Sequence, residues 1–380
     1  MKCVKQSNLF KNDCPTYTIN LDKPARERWN HVVPDFKDKI PLATKLADEM
    51  MGQVIQTTLV PLLTVACKTG TALYSEEIRG IAEQTEISAG KVLLLQLAYE
   101  AFAACTSVVV NGPRHPIHIR TMDWDLPELK ALTINVIFKK RGRVIFRGTT
   151  WAGYIGILTG MKPRAFSVSI NYRSTPKSTT DPVKAFANNV YRCISGCWPI
   201  GYLVREVLSS QKTYNDALRE FKNAELISPT YITICGTKKN EGAIITRNRS
   251  PKDTFCGNIV TSLEDGHLIQ ANMDHCRDKY FTEAGETKED WEDIMESRCR
   301  YKYVAHALRL MDGVYNNKNL GLMMATDPCY STNLTIYTSL MIPALKSMKT
   351  WTKLPRGARK LGKTQFKSAV CAAKKIKYIY

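Results

Sequence analysis

Up to Ala104 the apolar residues of this chain recur three and four apart; from Cys105 onward they alternate. This change of period constrains the fold of the 380-residue chain more than any other feature. A 3.6-residue repeat buries one stripe of a helix, whereas a two-residue repeat buries one face of a strand. DKIPLATKLADEMMGQVIQTTLVPLL and SEEIRGIAEQTEISAGKVLLLQLAYEAFAA, about residues 37–104, therefore predict helices, with Ser75, Glu76 and Glu77 as a helix start. After Cys105, the runs CTSVVV, PIHIRTMDWD, ALTINVIFKKRGRVIFRG and AFSVSINYRS predict strands divided by Gly and Pro. INVIFKKRGRVIFRG reads as a hairpin turning near Arg141 and Gly142.

Helical patterning returns from Val183 to Lys222. Strands follow at TYITICGT, GAIITRN and HLIQANMD, then a helix across MESRCRYKYVAHALRLM and a last strand pair around LTIYTSLMIPALKS. Strands, then helices, then strands again imply a layered α+β fold and not alternating βαβ units. Neither a repeat nor a Gly-rich phosphate loop is present. Residues 1–104 read as a helical segment, 105–345 as the main domain, and 346–380 as an appendage.

Charge isolates that appendage. Of the formal net charge of +19, residues 346–377 supply 11 basic groups, and no acidic residue follows Asp327. KLPRGARKLGKTQFKSAVCAAKKIKYIY is expected to be flexible or weakly helical, and drawn to anionic lipid surfaces or, without sequence preference, to nucleic acid. MKCVKQSNLFKNDCPTYTIN has no apolar core of the kind a secretory leader needs. The uncharged window Met50 to Cys67 contains Gln53, three threonines and Pro61, which makes it a buried or interfacial helix and not a membrane span. Twelve cysteines leave the redox compartment open. Cys193 and Cys197 form a lone C-x3-C with no second pair at zinc spacing, and neighbouring His275 and Cys276 do not supply one.

Cys105 stands where the period changes. A free cysteine there is by default a small buried hydrophobe. A reactive one needs a base. His115 and His118 on the following hairpin are candidates, although the sequence around Cys105 is not of the papain type. A second candidate appears if the peptide bond before Cys105 is cut. The freed α-amino group, with a pKa of roughly 7.7–8.0, then sits a few bonds from the sulfur.

CTSVVVNGPRHPIHIRTMDWD resembles the start of the catalytic part of the acid ceramidase and N-acylethanolamine-hydrolysing acid amidase family. These are N-terminal-nucleophile hydrolases that begin CTSIV and carry H-G-R-N-x-D on the next strand. YTINLDKPARERW, EIRGIAEQTEISAGKVLLLQLAYEAF, GTTWAGYIGILTGMKPRAFSVSIN, LISPTYITICGTKKNEGAIITRNR and LTIYTSLM extend the resemblance, in order, from about Tyr17 to Leu345. The YTINLD block and the LTIYTSL end are closer to the ceramidases.

The resemblance implies an αββα sandwich with a helical N-terminal subunit, activated by self-cleavage before Cys105. Cys105 would be the nucleophile, Arg120 and Asp123 would orient its amine and thiol, and Asn272 would bind the oxyanion. Arg298 matches the first Arg of the family's Asp-Asp-Arg-Arg, across an insertion around TEAGETKEDWED. The implied reaction cleaves ceramide to sphingosine and a fatty acid in the lysosome, without cofactor or metal, with the two cleaved parts remaining associated. Trp151 and Tyr154 are expected in the core, with the acyl channel as their alternative place. Alternatives for the whole chain are the amidase activity on N-acylethanolamines and a non-cleaving lipid- or membrane-binding homologue. Tyr172 stands where the family has Glu, and Ile119 and Thr121 replace the motif's Gly and Asn.

Overall fold

Arg141 and Gly142 both take positive φ, 49° and 71°, the two-residue turn whose twist matches that of the strands it joins. The hairpin around it lies near one edge of a large sheet in the computed structural model, which describes residues 9–97, 104–173, 182–253, 257–264, 266–274 and 288–376. The end of the predicted second helix, the His275–Cys276 pair and the first half of the TEAGETKEDWED insertion lie outside the described residues.

The chain opens with β1 (Thr16–Asn20), followed by α1 (Ile40–Thr69), α2 (Ser75–Thr85) and α3 (Ala89–Leu97). The hairpin β2 (Ala104–Asn111)–β3 (Pro116–Asp123) comes next, then a single turn, α4 (Leu129–Leu132). It leads to β4 (Thr133–Lys140), β5 (Arg143–Trp151), β6 (Thr159–Lys162) and β7 (Phe166–Tyr172). Helices α5 (Pro182–Ile194), α6 (Ile200–Ser210) and α7 (Tyr214–Asn223) are followed by β8 (Thr230–Cys235), β9 (Gly242–Arg247), β10 (Ile259–Ser262) and β11 (His267–Gln270). The last elements are α8 (Lys288–Met311), α9 (Asn317–Met324), β12 (Thr335–Ile342), β13 (Ser347–Trp351), α10 (Ala358–Gln365) and α11 (Lys367–Ile376).

Two sheets stack face to face. The larger has eight strands in the order β1-β4-β5-β6-β7-β8-β9-β10, and the smaller five, β11-β2-β3-β12-β13. Helices α6 and α7 pack on the larger sheet, while α8 and α9 pack on the smaller. This is the expected αββα sandwich, with one difference from the sequence reading. β1 pairs in parallel with β4, the other strand pairs being antiparallel. The N-terminal segment thus contributes a strand to the sandwich as well as three helices. α1 covers the Met50–Cys67 window, and no described helix is long and apolar enough to cross a membrane.

The tail, expected to be flexible or weakly helical, is helical and packed. β13 pairs with β12, and α10 and α11 dock on α9 and α8. Ala358, Phe366, Ala369, Val370 and Ala373 are buried in the same apolar cluster as Tyr303 and Leu322. A Cβ on Gly362 would lie 2.1 Å from Thr326 Oγ1, so only glycine lets α10 approach this closely. The basic residues occupy the outer side: Lys353, Arg356, Arg359, Lys360, Lys363, Lys367, Lys374 and Lys375 are all exposed.

Burial is divided by chemistry. Phe138, Phe146, Val168 and Ile170 face the helices above the larger sheet, in a cluster that includes Trp29, Leu203 and Leu208. Between the sheets the side chains are mostly polar. Asn135, Thr149, Thr159, Ser169 and Thr233 succeed one another across the larger sheet. Thr350, Ser339, Arg120, Ser107 and Gln270 do so across the smaller. Hydrogen bonds join the two rows, at 2.7 Å between Thr149 and Thr350 and 2.8 Å between Ser107 and Ser169.

Candidate active site

Cys105 is the second residue of β2, pairs across the hairpin with Met122, and is fully buried. Alternation along β2 turns Cys105, like Ser107, into the space between the sheets, while Thr106 faces α8. Ser107 sits opposite Arg120, and this register brings the guanidinium back towards the start of β2. Arg120 Nη2 lies 3.0 Å from Cys105 Sγ and donates to Ile170 O at 2.7 Å; Nη1 donates to Tyr337 OH at 3.2 Å. A guanidinium cannot give up its charge, so a permanent positive charge faces the sulfur at this distance. The Tyr337 ring packs against it at 5.5 Å, and burial raises the Tyr337 phenol above its usual pKa despite the nearby Arg120 charge.

Asp123, across from Ala104, lies beside the bond expected to be cut. Its carboxylate accepts from Thr335 Oγ1 at 2.6 Å and Thr121 Oγ1 at 3.1 Å. Burial raises its pKa, with Arg300 and the two threonine hydroxyls opposing the shift. Asn272 comes from the loop after β11, and its Oδ1 accepts from the Cys105 backbone N–H at 2.8 Å. Its Nδ2 donates to Tyr172 O at 2.9 Å, and its own N–H to Ser297 Oγ at 2.8 Å. The structure thus brings Cys105, Arg120 and Asn272 into direct contact, with Asp123 on the adjoining strand.

Sequence reasoning missed two residues at this centre. Arg300 on α8 donates through Nη1 to Cys105 O at 2.5 Å and to Thr106 Oγ1 at 2.8 Å, and through Nη2 to Asn272 Oδ1 at 2.9 Å. Arg298, the residue selected from the sequence, is half-buried on the same helix, about 200° around the axis from Arg300. A signal was present: Arg300 falls on the stripe of Tyr303, Val304, Ala307, Leu308 and Met311, and Arg298 does not. The second residue is Asn171 on β7, whose Nδ2 donates to Cys105 O, Gln270 O and Ala271 O at 3.1, 2.9 and 3.1 Å. Tyr172 follows it, so its side chain leaves the other face of β7.

The histidine candidates lie elsewhere. His115 is in the turn at the far end of the β2–β3 hairpin. His118 has both ring nitrogens on serines, Nδ1 with Ser167 at 3.0 Å and Nε2 with Ser169 at 2.8 Å. Burial, and then the Arg120 charge, push its pKa down to about 3, so it stays neutral.

An apolar cavity of about 90 Å³ lies between helices α1–α3 and the segments that carry Trp124 and Trp151, Trp124 being the residue after Asp123. Ile40 and Thr44 of α1, Ile81 of α2 and Val92, Leu95 and Gln96 of α3 form one wall; Trp124, Leu126, Leu129, Trp151 and Tyr154 form the other. Trp151 and Tyr154 therefore belong to the core and line the cavity as well. The Trp151 ring lies 6.4 Å from that of Tyr337, whose hydroxyl accepts from Arg120.

Comparison with known proteins shows what the chain is similar to. Residues 12–68 match the model for the beta subunit of N-acylethanolamine-hydrolyzing acid amidase. The N-acylethanolamine-hydrolyzing acid amidase of Caenorhabditis elegans is 29% identical over 341 residues, 87% of this chain and 89% of that protein. The acid ceramidase of Heterocephalus glaber is 30% identical over 298 residues, 72% of this chain and 73% of its own length. A solved structure of the C. elegans amidase ortholog superimposes with a TM-score of 0.52 at 28% identity, covering 66% of this chain and all of that one.

Proposed function

The chain belongs to the acid ceramidase and N-acylethanolamine-hydrolysing acid amidase family of amidohydrolases, and on that premise we propose that it hydrolyses the amide bond of N-acyl lipids with Cys105 as nucleophile, ceramide being the first candidate. The observation that carries this reading is the Arg120 guanidinium 3.0 Å from Cys105 Sγ, with the Cys105 N–H held by Asn272. In self-cleavage, Cys105 Sγ attacks the Ala104 carbonyl carbon. The thiol proton passes to the departing Cys105 nitrogen, and water hydrolyses the resulting thioester. Residues 1–104 and the remainder stay together through β1 and the buried pairing of Glu77 with Arg205 at 2.6 Å.

The new α-amine then serves as base for the same thiol. Arg120 and Arg300 set two permanent positive charges beside it, and Asp123 a carboxyl group. Attack on the substrate amide gives an acyl thioester and releases the amine product, and water, activated by the α-amine, frees the fatty acid. Asn272 supplies the oxyanion donor; Asp123 and Arg300 hold the strand ends in place. The apolar cavity, at about 90 Å³, takes a short part of the acyl chain and must widen to take a long one, and the outer basic face of α10 and α11 rests on an anionic membrane surface. Kinship implies the lysosome as the working compartment.

Hydrolysis of N-acylethanolamines is the second reading, favoured by the longer span of likeness to the C. elegans amidase. Purified protein held at acidic and at neutral pH should yield a fragment beginning Cys-Thr-Ser, while Cys105→Ala should stay whole. Cleavage of Cys105→Ala at the same bond assigns the cut to another protease. Palmitoyl ceramide and palmitoylethanolamine assayed side by side decide the substrate. Turnover of neither moves the reading to a lipid-binding homologue.

A further inference from the structure

The seam between the sheets contains a chain of buried polar groups that ends on the nucleophile's own carbonyl. Asn171 Nδ2 is surrounded by three backbone carbonyls: that of Cys105 and those of Gln270 and Ala271, which lead into Asn272. One amide thus holds together the strand that carries the nucleophile and the loop that carries Asn272. Only the nitrogen end can sit there. A flipped carboxamide would set its oxygen against three acceptors, all out of water's reach.

The orientation of that amide fixes every proton behind it. With Nδ2 donating, Asn171 Oδ1 must accept, and it does so from Ser107 Oγ at 2.6 Å. A serine has one proton, so the 2.8 Å contact between Ser107 and Ser169 must be donated by Ser169. The proton of Ser169 is then committed, and His118 Nε2, 2.8 Å away, has to carry a hydrogen. His118 Nδ1 is left as the acceptor for Ser167 Oγ at 3.0 Å. The five side chains are fully buried, so no solvent competes for any of these bonds.

We infer that His118, Ser169 and Ser107 are positioning residues, whose one permitted hydrogen-bond polarity locks the Asn171 carboxamide and so sets the separation between Cys105 and Asn272. This rests on the reading of Cys105 as nucleophile given above. None of the three touches the reacting atoms or lines the acyl cavity. Loosening the chain therefore displaces the nucleophile relative to the oxyanion donor and leaves acyl binding in place. A misplacement of about 1 Å can cost on the order of a hundredfold in rate.

Two measurements on the full-length protein test this. In ¹⁵N-histidine spectra, His118 should appear as the neutral Nε2–H tautomer at both neutral and acidic pH. An Nδ1–H tautomer, or an imidazolium at mildly acidic pH, overturns the assigned polarity. In steady-state hydrolysis of a fluorogenic palmitoyl amide, Ser107→Ala and Ser169→Ala should each lower kcat about ten- to a hundredfold. KM should stay within about twofold, as expected for loss of an interaction made only in the transition state. Unchanged kcat in both variants, or a change confined to KM, overturns the positioning role. If the parent protein hydrolyses no acyl amide, the functional reading fails; the tautomer signal and the rate of cleavage before Cys105 in the two variants then decide on the chain of bonds separately.

Discussion

The two faces of β7 are equally dry and chemically opposite. Phe166, Val168 and Ile170 point into the helices, while Ser167, Ser169 and Asn171 point into the seam; all six are at 0% exposure. Burial alone therefore does not say what a position contributes. On the helix side each large side chain contributes in proportion to the apolar area removed from water, about 1.5–3 kcal/mol apiece. In the seam a hydrogen bond adds only about 1 kcal/mol net, but an orphaned partner costs about 1–3 kcal/mol. The helix faces respond to volume, and the seam responds to complementarity.

The sharpest way to break this contrast is to remove volume from the helix face. Phe138 stacks on Phe146 at 4.3 Å and lies under the Arg205 guanidinium at 5.0 Å. Phe138→Ala should lose about 3–5 kcal/mol in urea unfolding, while the fraction still folded keeps its kcat. A loss below about 1 kcal/mol would mean that the larger sheet draws its stability from somewhere other than its helix face.

How far the sequence revealed this division differs from element to element. The change of period at Cys105, the Arg141–Gly142 turn and the layered α+β order were legible because each is a local pattern of a few residues. Cys105, Arg120 and Asn272 were legible through motif resemblance, and they do meet. The seam was not, because alternation marks a polar face, as in Ser167, Ser169 and Asn171, but such a face reads as one turned to water and not to a second sheet. β1 was missed because its partner β4 lies more than a hundred residues further on. The packed C-terminal helices were hidden by charge. Ala358, Gly362, Phe366 and Val370 repeat at four-residue spacing and form a face that the 11 cations obscured.

A second test separates the regions by pH. Burial in the seam, helped by Arg120, takes His118 from 6.5 to about 3. The folded value lies below the unfolded one, so the stability of neutral burial is complete above pH 6.5 and is lost as pH falls towards 3. Two pH units into that window the loss is roughly 2–3 kcal/mol, at about 1.4 kcal/mol per unit. His118→Gln should remove this slope. Unfolding free energies of parent and variant should therefore converge as the medium is acidified. A constant difference across the window would show that the seam admits a charged His118.

The smallest effect on the fold is expected at the outer side of α10, where charge neither fills volume nor completes a hydrogen-bonded chain. Removing the C-terminal helices outright is a poor test, since it would strip Phe366 and Val370 from the cluster they share with Tyr303 and Leu322. Replacing Arg356, Lys360 and Lys363 with glutamine leaves every apolar contact in place. All three are exposed, and surface changes of this kind stay within about 0.5 kcal/mol. Hydrolysis of a detergent-dispersed substrate should be unchanged. Binding to phosphatidylserine vesicles should weaken, most at low salt, where charges are least screened, because each cation near an anionic surface adds about 1 kcal/mol. Equal vesicle binding by parent and variant would remove this face as the membrane contact and leave its charge as a solvated exterior. A large drop in unfolding free energy would instead mean that the outer side of α10 helps to hold the fold, and the division between volume and complementarity would need a third term.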